Sequence, residues 1–397
     1  MKESIREYEI LKIIKDRMSI SRMELAKLFN LTPARISKLI NNLLEEGIIV
    51  EKEEGRSTGG RKPMLLSINE DKFKNILGIN IAANDRIFLS VSKINGDFIK
   101  KIKIDISEKN RRDMLNFLDK LIKKNLEKDV NIGVIVLVVT GPVDKEFSKI
   151  LMSPHYEWET NNIVRYLERK YDLPIILEND VRAMAYTEKQ IGSCKDVENF
   201  VMLNLCQGIG TSYFIDNKMY RGFHSMAGEI GHIVINTNSI RKCSCGKRGC
   251  LEAEASDKAI LKRLESEIKI GKYSILKEIL QKKNKLEIKD VLYGIDKRDF
   301  LVIKAITEAV EYIAQGLNII ISIIDPEKII LAGELFKSEF VMENIRFYLN
   351  KISLDIQKCH IESTQLGEKL MYYSSISVVR ENLFENLKFT EKYIYKS

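Results

Sequence analysis

No stretch of this 397-residue chain stays apolar for the roughly 20 residues that crossing a bilayer requires. No apolar segment follows the charged start MKESIREYEI, so a secretory leader is not expected and a cytoplasmic location is. Internal repeats and low-complexity linkers are also lacking. Cysteine is sparse and uneven. Cys194, Cys206 and Cys359 stand apart and read as buried small apolar residues, whereas the other three of the six fall within a few positions of one another. In a reducing compartment such a cluster favours a metal over a disulfide. What remains is the composition of an ordinary soluble protein, 45% hydrophobic and 30% charged, with length for two or three domains. A net charge of +8 spread over this length permits a nucleic-acid partner without pointing to one.

The clustered cysteines lie in Gly222–Glu252, GFHSMAGEIGHIVINTNSIRKCSCGKRGCLE. His232 is followed by Cys243-x-Cys245-Gly-x-x-Gly-Cys250. Three thiolates and one imidazole complete a tetrahedral zinc site, and glycines let a short loop turn its sulfurs toward one point. Unrelated buried thiols are the alternative, but four ligand-type residues at this spacing favour Zn2+. Glu229 and Glu252 are interleaved with these ligands, so a metal there would also fix two carboxylates.

The N-terminus reads as a helix–turn–helix. A first helix carries Tyr8, Leu11 and Ile14, and a second opens on the capping box Ser21-x-x-Glu24. Thr32-Pro33 starts a third as N-cap and first helical residue. There Ile36, Leu39, Ile40, Leu43 and Leu44 keep helical period, and the opposite face shows Arg35, Ser37, Lys38, Asn41 and Asn42 with no acid until Glu45. Such a face suits base edges and phosphates. Gly47-Ile-Ile-Val-Glu and Met64-Leu-Leu then flank a glycine-rich basic tip with Arg56, Arg61 and Lys62, the pattern of a wing. Thr32, Arg35, Ser37, Lys38, Asn41, Asn42, Arg56, Arg61 and Lys62 are the candidate contacts to double-stranded operator DNA. A small helical interaction module with a solvated loop is the competing reading.

Beyond residue 70 strands are expected over residues 76–82, 86–92, 99–106 and 132–139, with a helix over 111–126 before the last. Pro174-Ile-Ile-Leu-Glu178-Asn179-Asp180 ends a strand on a polar trio, where ligand sites form in α/β sheets; the lesser reading, END as a cap of the helix that follows, is compatible with binding. Later come strands near Val201 and Thr211, a long helix from Phe300 to Ile324 stopped by Asp325-Pro326, a strand at Lys328, and a closing helix over 374–387.

AGEIGH followed by CxCGxxGCLE resembles the signature of the ROK family (repressors, open reading frames, kinases), and the helix–turn–helix with GGRKP is similar to the N-terminal part of its repressors. The resemblance implies an α/β fold: a two-lobed actin-like, sugar-kinase (ribonuclease H-like) body with an N-terminal winged helix–turn–helix. The expected domains are residues 1–70, 71–192 and 193–397, DNA-binding unit, first lobe and second lobe. The resemblance also implies structural zinc on His232, Cys243, Cys245 and Cys250, and sugar contacts from Asn179, Asp180, Glu229, His232 and Glu252. Thr140-Gly-Pro-Val-Asp144 and Ser153-Pro-His-Tyr-Glu-Trp158 are similar to the family's other sugar-pocket loops.

The nucleotide side departs from the kinases of the family. Their DxGGTK-like turn stands here as Asn80-Ile-Ala82-Ala83-Asn-Asp85, their GTGIGGG as Cys206-Gln-Gly208-Ile-Gly210-Thr-Ser212, and their adenine-side glycine pair as Gly333-Glu334. Phosphoryl transfer depends on positioning and charge stabilisation. Three altered elements therefore argue against an enzyme and leave Asp180 as a vestigial base. The expectation is a sugar-responsive transcriptional regulator, a homodimer or homotetramer with a small sugar effector. An active sugar kinase with a fused DNA-binding domain is the alternative.

Overall fold

The computed structural model describes residues 2–17, 19–53, 64–81, 86–128, 131–144, 149–151, 162–354, 359–383 and 393. The chain opens with α1 (Lys2–Arg17), β1 (Ile20–Ser21), α2 (Arg22–Leu28), α3 (Pro33–Glu45), β2 (Ile49–Glu53) and β3 (Met64–Ile68). Both expected helix starts form. Ser21 Oγ accepts from Glu24 N at 3.2 Å while Ser21 N donates to Glu24 Oε2 at 2.9 Å, and Thr32 Oγ1 accepts from Arg35 N at 3.4 Å. Ile10, Ile14, Leu25, Ile36, Leu39, Ile40 and Leu43 bury the apolar faces of the three helices together. β2 and β3 form a hairpin, and β1, too short to show in the sequence, pairs with β3 on its other side. The basic tip with Arg56, Arg61 and Lys62 lies outside the described residues.

The body consists of two sheets on the same plan. The first contains β4 (Asn75–Ile81), β5 (Arg86–Ser92), β6 (Phe98–Asp105), then α4 (Glu108–Arg112), α5 (Met114–Leu126), β7 (Ile132–Val139), a short hairpin of β8 (Val143–Asp144) and β9 (Lys149–Ile150), α6 (Ile163–Tyr171), β10 (Ile175–Asn179) and α7 (Asp180–Ile191). Its order is β10-β7-β4-β5-β6, an antiparallel meander extended by two parallel crossover strands. The second contains β11 (Phe200–Leu205), β12 (Ile209–Ile215), β13 (Lys218–Tyr220), α8 (Leu251–Ala255), α9 (Asp257–Lys269), α10 (Lys277–Lys283), α11 (Ile288–Asp296), α12 (Phe300–Ile324), β14 (Lys328–Ala332), α13 (Glu339–Ile352) and β15 (His360–Ser363), before the closing α14 (Lys369–Asn382). Its order, β13-β12-β11-β14-β15, repeats the same plan. This doubled α/β arrangement is the two-lobed actin-like architecture. Among the described residues no helix is long and apolar enough to cross a membrane.

Two expectations are corrected. The helix foreseen over 111–126 breaks at Asp113, whose φ of −131° leaves the helical region and whose carboxylate accepts from Asn116 Nδ2. The closing helix begins at Lys369, not at residue 374, and ends at Asn382. Its first turn buries only Leu370, which gives no apolar period to read, and its buried face then mixes Ile376, Val378 and Val379 with Ser374, Ser375 and Ser377. Although it follows the second lobe in sequence, α14 packs against β4, β5 and β7 of the first sheet and along α7. α7 packs in turn on β11 and β12, so α7 and α14 form the layer between the sheets. The C-terminal end of α14 touches the N-terminal helical unit, where Lys15 Nζ donates to Leu383 O at 3.5 Å.

Close approach is what lets α14 sit on the sheet. A Cβ at Gly78 of β4 would lie 2.2 Å from Ser375 Oγ. Gly78→Ala is expected to destabilise the protein by about 1–3 kcal/mol through overpacking. The pair Gly78→Ala with Ser375→Gly should recover part of that loss, as read by urea denaturation, because Ser90 Oγ at 2.9 Å still crowds the new Cβ and glycine within a helix costs about 0.5–1 kcal/mol.

Candidate functional site

The loop after β13 returns to the sheet edge at Gly228, whose carbonyl accepts from Thr211 N at 2.9 Å. Gly228 has φ +106°, and a Cβ there would stand 2.1 Å from Thr211 O, so the sharp turn requires glycine. Glu229 follows, and a single 3-10 turn over Ile230–His232 seats Ile230 in the core. Glu229 Oε2 and His232 Nε2 thereby come within 3.8 Å.

The other ring nitrogen of His232 faces sulfur: Nδ1 lies 3.3 Å from Cys243 Sγ. The cysteine loop doubles back through Cys243 N to Lys247 O (2.8 Å) and Gly246 N to Cys243 O (3.1 Å), which brings Cys245 Sγ to 3.7 Å from Cys250 Sγ. Donor atoms of His232, Cys243 and Cys245 lie within 4.8 Å of one another, and Cys250 joins them through Cys245. An ion held tetrahedrally with bonds of about 2.3 Å to sulfur and 2.0 Å to nitrogen has sulfur–sulfur edges of about 3.8 Å and sulfur–nitrogen edges of about 3.5 Å. The His232–Cys243 spacing of 3.3 Å and the Cys245–Cys250 spacing of 3.7 Å match two of those edges, while Cys250 stands outside the group of mutually close donors. Arg241, next to this loop, is anchored on Glu254 of α8 and on Glu308 of α12, which holds the loop against the second lobe.

Glu252 and Asp180 complete the set of acids around Glu229. Glu252 begins α8; its Oε1 accepts from Ser244 Oγ at 2.7 Å and lies 3.6 Å from Cys243 Sγ. Its Oε2 is so near the β11–β12 turn that a Cβ on Gly208 would lie 2.7 Å away. Asp180, at the start of α7, accepts from Val181 N at 2.9 Å and from Asn179 Nδ2 at 3.0 Å. Burial pushes the Asp180 carboxyl up to about 7, and the charge of Glu229 adds to the rise. Burial also raises Glu229, with Glu252 contributing in the same direction against His232 and Arg182. The charge of Glu229 thus reaches Asp180 of the first lobe, and that of Glu252 reaches Glu229. Asn179 stands behind them. Its Oδ1 caps α7 at Arg182 N, and its amide hydrogens go to Gly141 O and Asp180 Oδ1, each at 3.0 Å. With those donors committed, its part in this arrangement is to orient Asp180.

Sequence reasoning missed the ion network beneath the cleft. Arg221 grips Glu178 through both guanidinium nitrogens and also donates to Tyr186 OH at 2.9 Å. Arg182 lies 3.9 Å from the same carboxylate and donates to Ser225 O at 2.6 Å. Burial pushes Glu178 up, but Arg221, with Arg182 and the Asn179 N–H, outweighs it and holds the carboxyl below its ordinary range. Glu178 belongs to the END motif, and its burial was the available signal. Arg221 showed none, because its partner lies in the other lobe.

On the nucleotide side, Asn80 is buried and donates to Met371 O at 3.1 Å and Ser374 Oγ at 2.9 Å, both on α14. Asp257 N donates to Cys206 O at 2.9 Å, which sets the Asp257 carboxyl beside the β11–β12 turn. Burial raises that carboxyl well above its ordinary range, and the charge of Glu334 adds to it. Ala82, Ala83, Asp85 and the loop 153–158 lie outside the described residues.

On α3, Thr32, Arg35 and Lys38 are exposed and Ser37 is half-buried. Asn41 Oδ1 accepts from Arg22 NH1 at 3.0 Å, and Arg22 is paired with Glu51 at 2.8 Å. Asn42 departs from the expected face: its Nδ2 donates to Glu7 Oε1 at 3.1 Å in a notch shared with Glu45 and Glu46. Those acids make the notch repulsive to phosphate. Arg22 on α2 is the cation that the sequence reading omitted from this surface.

A two-lobed body with this Cys3His cluster and carboxylate cleft, preceded by a helix–turn–helix, defines a class in which one chain joins a sugar-kinase fold to a DNA-binding unit. The chain belongs to the ROK family, whose profile matches residues 76–369. A xylose repressor of Caldicellulosiruptor bescii is 31% identical over 380 residues, covering 93% of this chain and 94% of that one. The DNA-binding transcriptional dual regulator NagC of Escherichia coli is 26% identical over 330 residues, covering 81% and 79%. Among solved structures, a ROK family transcriptional regulator described as a homologue of the E. coli Mlc protein superposes with a TM-score of 0.82 at 25% identity, covering 99% of each chain. A ROK glucokinase from Streptomyces griseus, solved with glucose and AMPPNP, superposes at 0.66 with 21% identity over 77% of this chain and 99% of that one.

The raised Asp180 carboxyl has a consequence for stability. The folded state holds a proton that the unfolded chain releases near pH 4, so stability falls as pH rises from about 4 through about 7. Asp180→Asn keeps the shape without the charge. Its stability relative to wild type is expected to improve by about 2 kcal/mol between pH 5 and pH 8, read by denaturant titration at both values. A difference that does not change with pH would contradict this.

Proposed function

We infer that this protein is a sugar-responsive transcriptional repressor of carbohydrate-utilisation genes. It binds operator DNA through the N-terminal unit and takes a small neutral sugar in the cleft of a body that does not phosphorylate it. One contrast carries the reading. Asp180, Glu229, His232 and Glu252 are gathered as acceptors and donors for adjacent hydroxyls, while Asn80 is tied to α14 and the acids Asp257 and Glu334 border the turn where phosphates would need positive potential. The names of the repressor relatives support the same reading and make a pentose such as xylose the first sugar to try.

Thr32, Arg35, Ser37, Lys38 and Asn41, with Arg56, Arg61 and Lys62 of the wing, are the proposed DNA contacts, and Arg22 joins them. A homodimer or homotetramer would present paired recognition helices to a two-fold operator. Zn2+ is the proposed cofactor, held by His232, Cys243, Cys245 and Cys250. When bound it supplies a tetrahedral cross-link. Nδ1 of His232 then serves the metal, leaving Nε2 to the cleft beside Glu229.

Purified protein is expected to carry about one zinc per chain and Cys245→Ser to lose it, with a lower melting temperature. Full stability without metal would refute the structural role. In gel-shift assays with the protein's own promoter region, Arg35→Ala should weaken binding about tenfold. A panel of D-xylose, D-glucose and N-acetylglucosamine should contain a sugar that changes wild-type affinity. Robust formation of sugar phosphate from the same panel with ATP and magnesium would overturn the repressor reading in favour of a kinase.

A further inference from the structure

The two lobes are pinned together at the root of the loop that carries Glu229. Glu178 is the penultimate residue of β10 in the first sheet, and Arg221 follows β13 in the second, so their two-pronged contact joins the two lobes. Arg221 also holds Tyr186 OH on α7, and the Tyr186 ring packs edge-on against Phe214 of β12. Further along the loop, Ser225 O is held by Arg182 of α7 at 2.6 Å. Between these anchors the loop has no core of its own: no residue from Arg221 to Ala227 is buried, and Phe223 is 97% exposed. Its position relative to the first lobe therefore rests on the two arginines.

Glu178 and Arg182 flank Asp180 in the chain, and the loop anchored on them ends at Glu229. The facing carboxylates of the cleft are thus two arms of one network. Glu178 is 1% exposed and Arg182 2% exposed. A bidentate arginine–carboxylate pair at that depth is strong and geometrically exacting, and removal of one partner leaves an uncompensated charge. α7, which starts at Asp180, runs along α14, whose end at Leu383 accepts from Lys15 of α1. A change in how the loop sits on α7 has a packed route to the DNA-binding unit.

We propose that Arg221 and Glu178 are a positioning pair that ties sugar occupancy to operator affinity, holding the Glu229 loop of the second lobe in register with Asp180 of the first. Neither residue touches the sugar. The pair makes the two carboxylates act as one unit, so a sugar engaging both changes the seating of α7 against α14. This rests on the sugar-responsive repressor reading above.

The test uses the full-length protein and measures two affinities separately: sugar by calorimetry and operator by gel shift. The ratio of operator affinities without and with saturating sugar is the coupling. The probe is whichever of D-xylose, D-glucose and N-acetylglucosamine shifts the wild type, where a ratio of about tenfold or more is expected. The double variant Glu178→Gln with Arg221→Met removes both members of the pair together and leaves Arg182 without the Glu178 charge. It is expected to bind operator within about threefold of wild type and still bind sugar, with the coupling ratio reduced to within about twofold of unity. A ratio equal to wild type in that variant overturns the proposal. Should the double variant not fold, Tyr186→Phe removes only the hydroxyl that Arg221 holds. A ratio lowered by about threefold supports the proposal and an unchanged one overturns it. A wild-type protein whose operator affinity ignores the whole panel removes the sensor reading itself, and this proposal with it.

Discussion

α7 is buried between the two sheets, and the cleft chemistry depends on that confinement. It packs on β11 and β12 from one lobe, touches β7 and β10 of the other, and lies along α14. Ala183 and Ala185 on it are fully buried, so neighbours approach closely on more than one side. The helix begins at the centre of the molecule, where Asn179 caps it and Asp180 follows. A carboxyl in that position is only 5% exposed, and this loss of solvent, with the charge of Glu229, raises its proton affinity. The same burial makes the Glu178 ion pair demanding in geometry, because a charge there has no water to fall back on.

His232 performs the corresponding task in the second lobe. One ring nitrogen faces the sulfur cluster and the other faces Glu229, so one imidazole can belong to both a metal site and a polar cleft. Glu252 repeats this economy: it lies near Cys243 on one side and near the Gly208 turn on the other. The two halves of the cleft are thus fixed by different physics, a helix buried between sheets on one side and a cross-linkable loop on the other. Among the contacts that join them are the Glu178–Arg221 pair and the bond from Arg182 to Ser225 O.

Much of the fold was legible because its signals are local. Ser21 and Glu24, Thr32 and Pro33, and Asp325-Pro326 mark helix ends through contacts within a turn, and each end forms where those residues stand. The apolar run over 132–139 is a strand buried along its whole length, as a continuous β-branched stretch suggests. The start of the closing helix was misplaced because Leu370 is the one buried residue of its first five, which leaves no apolar period there to read. At the site, the cysteine spacing and the carboxylates could be read as types of chemistry. The orientation of Asn42 toward Glu7 could not, since nothing in α3 announces the acids of α1 beside it.

The sequence by itself determined the elements and the kinds of groups available: capped helices, β-branched strands, a Cys3His spacing and acids placed beside it. Those depend on residues near one another in the chain, whose interactions survive without knowledge of the fold. The tertiary structure alone decided which groups meet across it. It set Asp180 facing Glu229, committed the amide of Asn179 to a backbone carbonyl and its neighbour, tied Asn80 to α14, and joined Arg221 to Glu178. Each of these pairs remote segments, and only the packing of two sheets around α7 and α14 brings them within reach.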